Sequence, residues 1–282
     1  MDPVRRPEDP GPRPRPQRGA PKREVIPIPV LARRGRVTLR HFLALLCGGY
    51  VARVDALRGQ GRRGLLLAVE RMVAALFRLF VDRDLVRLPF PEQLRRRLEL
   101  LGPTYVKLGQ ILSLRRDILP EVVTEELANL LCVLPPVSFE EVCEVLERDL
   151  ERPRQELFRH IDPEPMGSAS IAQTHRAVTM DGEAVLLKVV KPGIRDLLHR
   201  DAGLLRLFGI VLQLLLPRFQ PRRIIEEFFD YTLREVEMER EAEHAETFTF
   251  NFRDVPDIIF PQISSPLSSS SMLCVARLNG AS

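Results

Sequence analysis

The sequence predicts an α+β protein in which helices dominate and a single β-hairpin marks the β-rich region. Apolar residues recur at helical spacing over residues 38–148 and again over 195–247, whereas residues 168–190 show strand-like patterns. Asp181-Gly182 interrupts that β-rich region, and an Asp-Gly pair between two such runs is typical of a two-residue hairpin turn. At 282 residues with 45% hydrophobic content, the chain can bury a substantial core.

Composition excludes several classes of protein. The four cysteines are scattered, with no C-x-x-C pair and no histidine cluster at zinc spacing, so we expect neither a disulfide framework nor a structural metal. No stretch of 18 or more uncharged apolar residues occurs, and the N-terminus lacks the apolar core of a secretory signal. We therefore expect no signal peptide, no transmembrane helix and a location in the cytoplasm or an organelle interior.

The positive charge is concentrated at the N-terminus. Residues 1–40 hold eleven Lys/Arg against four Asp/Glu, whereas the rest of the chain holds 31 against 34. Pro and Arg dominate this tail, so we expect residues 1–37 to be disordered. No aromatic residue precedes Phe42 and no nucleic-acid-binding motif occurs, so we expect no nucleic-acid partner.

Residues 38–90 form an amphipathic helical segment. Glycines near Gly59–Gly64 break its apolar pattern, which predicts two helices. These helices either pack on the main domain or, through the Arg-flanked Leu/Phe faces of residues 38–83, contact a membrane.

Three further segments follow. Residues 91–160 form a helical extension, residues 161–263 hold the hairpin and two long helices, and residues 264–282 are a truncated, serine-rich, low-complexity end. A short strand is predicted at 257–261. The predicted helices are Pro91–Leu101, Thr104–Arg115, Thr124–Leu131, Ser138–Arg148 (with Ser138 as N-cap), Arg195–Leu216 and Arg222–Thr247.

Lys188 lies inside the otherwise apolar run AVLLKVV of the second hairpin strand. A buried ammonium group is unfavourable unless an anion lies nearby. A strand lysine that follows a tight loop of small residues, here Gly167–Ser170, is the arrangement with which kinases hold nucleotide phosphates. The alternative is an exposed lysine on an edge strand.

Lys107 is the second lysine in an apolar setting, on a predicted helix that also carries Gln110. Only four of the 42 basic residues are lysines, and a compact ammonium group differs physically from the broad guanidinium of arginine. The helix predicted after Arg222 has glutamates at positions 235, 237, 239 and 241, with like charges at i, i+4 spacing. Such a face either is solvent-exposed or pairs with lysines elsewhere.

Four stretches occur in order between about Leu100 and Gln262: KLGQ (107–110), GSASIAQTHRA (167–177), VLLKVVKPGI (185–194) and REVEMEREAEHAETF (234–248). They resemble, in that order, the K-x-G-Q helix, the Ala-rich nucleotide loop, the kinase-type lysine strand and the E-x-D helix of the UbiB/AarF (ADCK) family of atypical protein-kinase-like proteins. K-x-G-Q alone is a weak signal, but the collinear set is specific.

The resemblance implies a protein-kinase-like N-lobe, with a small antiparallel sheet, and a helical K-x-G-Q extension that covers a pocket for ATP or ADP. Lys188 would hold the nucleotide phosphates and pair with Glu241. Lys107 would pair with Glu235 and Glu237. The loop over the nucleotide would consist of Gly167, Ser168, Ala169 and Ser170, and Gln110 would lie on the extension.

Family members are associated with ubiquinone and other isoprenoid-lipid metabolism and act at membrane surfaces as ATPases or atypical kinases. The resemblance therefore implies a peripheral-membrane setting, with the helices of residues 38–83 in contact with a membrane or an isoprenoid lipid. Two local departures occur: E-x-D reads Glu235-Val236-Glu237, and Gly167 stands where alanine is common, which should ease backbone approach to phosphate. After LCVARLNGAS, which resembles a hinge strand, no catalytic-loop Asp with a downstream Asn and no D-F-G appears.

We therefore expect an N-terminal portion of a UbiB-type kinase or ATPase, with the C-lobe absent, no catalytic residue assigned and the ligands of the family's Mg²⁺ outside this chain. His160-Ile161-Asp162-Pro163 resembles the catalytic H-x-D-P but precedes the nucleotide loop, so Asp162 is predicted to be a turn residue. The alternative is a non-catalytic helical module that binds a lipid or a protein partner, and a homodimer is also open.

Overall fold

The computed structural model describes residues 28–59, 88–131, 135–255 and 258–278, together with residues 69, 70, 72, 73, 75 and 85. Helices surround a small antiparallel sheet. The helices are α1 Ile28–Gly59, α2 Phe90–Leu101, α3 Pro103–Ser113, α4 Glu121–Ala128, α5 Phe139–Leu150, α6 Arg154–Leu157, α7 Ile194–Leu215, α8 Pro221–Glu235 and α9 Met238–Asn251. The strands are β1 Phe158–Ile161, β2 Gly167–Ser168, β3 Ala172–Thr179, β4 Ala184–Val190 and β5 Met272–Ala276.

Helix α1 begins at Ile28, so residues 28–37 of the predicted disordered tail are helical. The physical reason is a long-range ion pair. Arg34 donates from Nε and Nη2 to the fully buried carboxylate of Asp201 on α7, at 2.9 and 2.8 Å, and Nη2 also donates to the carbonyl oxygen of Leu101. The helix ends at Gly59, where a break was predicted, and the second predicted helix lies largely outside the described residues.

One hydrophobic cluster joins α2, α3 and α4 to α7 and α8. Phe42 of α1 stacks on Phe208 of α7 with ring centroids 4.0 Å apart, so this part of α1 packs on the domain, as one of the two interpretations predicted. The helices of the extension match their predicted positions within a few residues, and Ser138 caps α5 through a reciprocal pair of hydrogen bonds with Glu141.

The predicted hairpin is confirmed. Strands β3 and β4 pair antiparallel, and Gly182 in the turn adopts a φ of 91°, a left-handed backbone that glycine readily takes. The five-stranded sheet of the described region has the order β1-β3-β4-β5, with β2 also paired to β3. Leu187 and Val189 pack toward α5, whereas Lys188 belongs to the opposite face, on which α7 and α9 pack.

Strand β5 lies at the start of LCVARLNGAS (273–282), the stretch that resembles a hinge strand, inside the predicted end segment 264–282. Met272 and Cys274 are fully buried, because β5 pairs with β4 and covers the apolar face next to α5. The strand predicted at 257–261 is wrong for the described residues 258–261, which form no strand. Ile263 instead makes an isolated bridge to Val275.

The helix predicted over Arg222–Thr247 is in fact two helices. Helix α8 ends at Glu235, α9 begins at Met238, and Glu237 between them has an extended backbone (φ −93°, ψ 90°). Neither Gly nor Pro marks this break, so the apolar spacing of the sequence did not reveal it.

Candidate functional site

Lys188 and Glu241 form the ion pair that the sequence predicted. Lys188 Nζ donates to Oε1 and Oε2 of Glu241 at 2.8 and 2.7 Å. The side chains are 36% and 40% exposed, so Lys188 is paired with an anion but only partly buried, between the two alternatives that the sequence left open. The pair lies where the sheet meets α9.

Lys107 pairs with Glu235, as predicted, but not with Glu237. Its Nζ lies 2.7 Å from each carboxylate oxygen of Glu235, and the Lys107 side chain is only 15% exposed. Glu237, in the extended break between α8 and α9, forms an ion pair with Arg240 instead. The ammonium group of Lys107 also lies 6.0 Å from the ring centroid of Tyr231.

Gln110 joins α3 to the small-residue loop. Its Nε2 donates to the carbonyl oxygen of Leu130 at 2.8 Å, and its Oε1 accepts a long hydrogen bond from Ser170 Oγ at 3.5 Å. The K-x-G-Q helix therefore contacts the loop through one side chain and α8 through another.

The loop itself is a tight turn between β2 and β3. Its backbone is closed by a hydrogen bond from Ala169 N to the carbonyl oxygen of Ala172 at 2.8 Å. Ser168 Oγ is shielded from solvent and has no hydrogen-bond partner among the described residues. A Cβ atom on Gly167 would meet nothing within 4 Å, and Gly167 does not have a positive φ, so alanine would also fit at this position.

Buried polar contacts anchor the extension to the sheet. Gln173 accepts from Val137 N at 2.8 Å and contacts His175 Nε2 at 2.9 Å, while His175 Nδ1 lies 2.8 Å from the carbonyl oxygen of Asp162. Asp162 Oδ1 accepts from Glu164 N at 3.2 Å, which confirms that Asp162 is a turn residue.

Lys191 is a buried lysine whose burial the sequence did not predict. It is the buried lysine among the three that the structure describes, its Nζ donates to the carbonyl oxygen of Pro135 at 3.0 Å, and burial lowers its pKa. In the sequence it stands directly before Pro192, and no local pattern there indicates a buried lysine.

Metal-binding side chains do not cluster in the described part of the chain, where no group of three or more His, Cys, Asp or Glu is placed to hold an ion. Glu235 and Glu241 each face a lysine, so these carboxylates do not by themselves form a Mg²⁺ site. No described helix is long and apolar enough to cross a bilayer.

Comparison with known proteins identifies the family. Residues 130–282 match the model of the ABC1 atypical kinase-like domain. The chain belongs to this family.

Two similar proteins are named as probable protein kinases UbiB. A probable protein kinase UbiB of Marinobacter nauticus is 36% identical over 192 residues, which is 67% of this chain and 35% of that protein. A probable protein kinase UbiB of Tolumonas auensis is 35% identical over 199 residues, 68% of this chain and 37% of that protein. An uncharacterized protein of Synechocystis is 34% identical over 229 residues, which is 76% of this chain and 40% of that protein.

Among solved structures, the complex of Rv3197 with erythromycin from Mycobacterium tuberculosis is similar, with 26% identity and a TM-score of 0.46 over 76% of this chain and 51% of the other. This ABC1-family chain spans 35–40% of the length of the curated relatives that it matches. Its small antiparallel sheet and surrounding helices form a kinase-like fold.

Proposed function

We propose that this chain binds ATP or ADP through Lys188. The observation that carries the proposal is the ion pair between Lys188 and Glu241, which is half-exposed. An ammonium group has three N–H donors, and Glu241 accepts two of them. The third is free to donate to a phosphate oxygen, while Glu241 holds the flexible side chain in one direction.

The loop Gly167–Ser170 supplies the second wall of the proposed pocket. Ser168 Oγ has no partner in the described structure, which is unfavourable for a shielded hydroxyl unless a ligand supplies one. Gln110 holds the other end of the loop through Ser170. These groups fit a phosphate, which accepts several hydrogen bonds at once.

Family membership supports the wider role, an atypical kinase or ATPase of the UbiB type linked to ubiquinone or isoprenoid-lipid metabolism. Phosphoryl transfer also needs a metal held by carboxylate and amide ligands and a base near the acceptor. Mg²⁺ would shield the charge of the phosphates when bound. We assign nucleotide binding, and no transfer step, to the residues of this chain.

Replacing Lys188 with alanine should weaken nucleotide binding by about 10- to 100-fold, because a charge-assisted hydrogen bond contributes about 1.5–3 kcal/mol. Calorimetric titration with ADP and ATP, each with and without Mg²⁺, measures the change. Arg176→Ala, which removes an exposed positive charge from the neighbouring strand β3, is the matched control and should leave the affinity unchanged. Absence of binding to the wild-type protein at millimolar nucleotide would refute the proposal.

A second candidate function, contact with an anionic lipid surface, is favoured by the turn between α7 and α8. Leu214, Leu215, Leu216 and Phe219 are exposed there, Leu214 by 80%. Beside them, a cavity of about 580 Å³ is lined by three arginines, of which Arg115 pairs with Asp117 and Arg223 with Glu227, while Arg218 lies next to the exposed Phe219. Exposed apolar side chains next to arginines are typical of an interfacial membrane contact. This surface differs from residues 38–83, which the sequence indicated.

The double variant Leu214→Ser/Leu215→Ser should lose co-sedimentation with vesicles that contain phosphatidylglycerol, since it removes two exposed apolar groups. Wild-type protein should bind these vesicles more strongly than pure phosphatidylcholine vesicles, because arginines attract the anionic headgroups. Ile259→Ser, at an exposed position outside this surface, is the control. Equal binding of all three proteins would contradict a lipid contact here, and wild-type sedimentation without vesicles would indicate self-association instead.

A further inference from the structure

The break between α8 and α9 leaves backbone groups without the partners that a continuous helix would provide. In an unbroken helix the carbonyl oxygen of Val236 would accept from the amide of residue 240. Arg240 N instead donates to Glu237 O at 3.1 Å, so Val236 O needs another donor. Met238 N, at the start of α9, likewise needs an acceptor from outside the helix.

Arg195 and the carbonyl oxygen of Ser270 provide the partners for Val236 O and Met238 N. Arg195, in the first turn of α7, donates from Nη2 to Val236 O at 2.7 Å and also to the carbonyl oxygen of Ser270. Ser270 O in turn accepts from Met238 N at 3.1 Å. One guanidinium group therefore connects the end of α8 to the backbone that leads into β5, and β5 pairs with the strand of Lys188.

The break lies between the two glutamates that pair with two different lysines. In a continuous helix Glu235 and Glu241 would be separated by about 9 Å along the axis and by about 240° of rotation. Here Glu235 meets Lys107 on α3, and Glu241 meets Lys188 on β4. The direction of α9 after the break therefore determines whether Glu241 lies against Lys188.

We propose that Arg195 is a positioning residue for Glu241. It fixes the junction of α8 and α9 to the sheet and so holds the Glu241 carboxylate on the ammonium group of Lys188. Burial lowers the pKa of Arg195, in agreement with a guanidinium that serves an internal structural contact. This inference rests on the proposed nucleotide-binding function for its effect on affinity, but not for its effect on the ion pair.

The first experiment tests the ion pair between Lys188 and Glu241 in the absence of nucleotide. Wild-type protein and Arg195→Gln are labelled briefly with acetic anhydride, and mass spectrometry gives the rate at each lysine. We expect Lys188 to react about threefold faster or more in the variant, because an amine engaged by a carboxylate is shielded from the reagent. Lys107 is the internal control, since Glu235 precedes the break, and its rate should stay the same. An equal rise at both lysines, or no rise at Lys188, would overturn the proposal.

The second experiment measures ADP affinity in a double-mutant cycle. Arg195→Gln should weaken binding about tenfold in the wild-type background and less than about twofold when Glu241 is already glutamine, because the arginine acts through that carboxylate. Equal losses in both backgrounds would show a general structural effect and overturn the proposal. Arg206→Gln, on the exposed side of the same helix, is the matched control.

Arg195→Lys is a milder variant that keeps the proposal testable if Arg195→Gln does not fold. Lysine keeps the positive charge but lacks the planar donor fork, so both the labelling rate and the ADP affinity should lie between those of wild type and Arg195→Gln. If wild-type protein bound no ADP, the proposed function would fail, whereas the labelling of Lys188 and Lys107 would still decide whether Arg195 positions Glu241.

Discussion

Replacing Arg34 with alanine is expected to lower the free energy of unfolding by about 3–5 kcal/mol, the largest effect of any single substitution that we consider. The Asp201 carboxylate is completely buried, and Arg34 donates two hydrogen bonds to it. Alanine would leave that negative charge in the protein interior with its principal partner removed. The measurement is urea-induced unfolding followed by circular dichroism.

Two controls make this prediction specific. Arg33→Ala removes an exposed arginine from the same turn of α1 and should change the stability by less than about 0.5 kcal/mol. The double variant Arg34→Met/Asp201→Leu should recover most of the loss, because replacing a buried ion pair with apolar side chains is often neutral. If Arg34→Ala behaved like Arg33→Ala, α1 would not be docked on α7 through this pair.

The same ion pair shows why the sequence did not predict the start of α1. The segment around Arg34 has the same arginine-rich composition as the tail before it, and composition is the basis on which disorder was predicted. Asp201, which makes the segment helical by docking it, lies 167 residues away in the chain. No local pattern reports a contact over that distance.

More of the candidate site than of helix α1 could be predicted from the sequence. The pairing of Lys188 with Glu241 and of Lys107 with Glu235 followed from lysines in apolar settings, an acidic helix and the resemblance to a family whose motifs occur in the same order. The pairing of Glu237 with Lys107, which only the resemblance implied, is not found. Residues two apart lie about 200° apart around a helix, and Glu237 stands in the break after α8, where it pairs with Arg240. That break is stabilised by Arg195 and Ser270 rather than by local sequence.

Replacing Gly109 with alanine should destabilise the protein by about 1–2 kcal/mol, although alanine is the better helix former. A Cβ atom at this position would lie 2.4 Å from Leu130 Cδ1 and 2.8 Å from Leu98 Cδ1, and both leucines are buried. Overpacking of this kind costs about 1–3 kcal/mol, which exceeds the gain of about 1 kcal/mol in helix propensity.

Gly203→Ala is the matched control, because Gly203 also lies inside a helix but a Cβ atom there would meet nothing within 4 Å. It should stabilise the protein by up to about 1 kcal/mol, so the two substitutions are expected to have opposite signs. Thermal and urea unfolding of both variants measure the difference. A stabilising Gly109→Ala would mean that α3 is not held this close to α2 and Leu130. In that case the contact of Gln110 with Ser170 would no longer have a fixed support, because Gln110 follows Gly109 on the same helix.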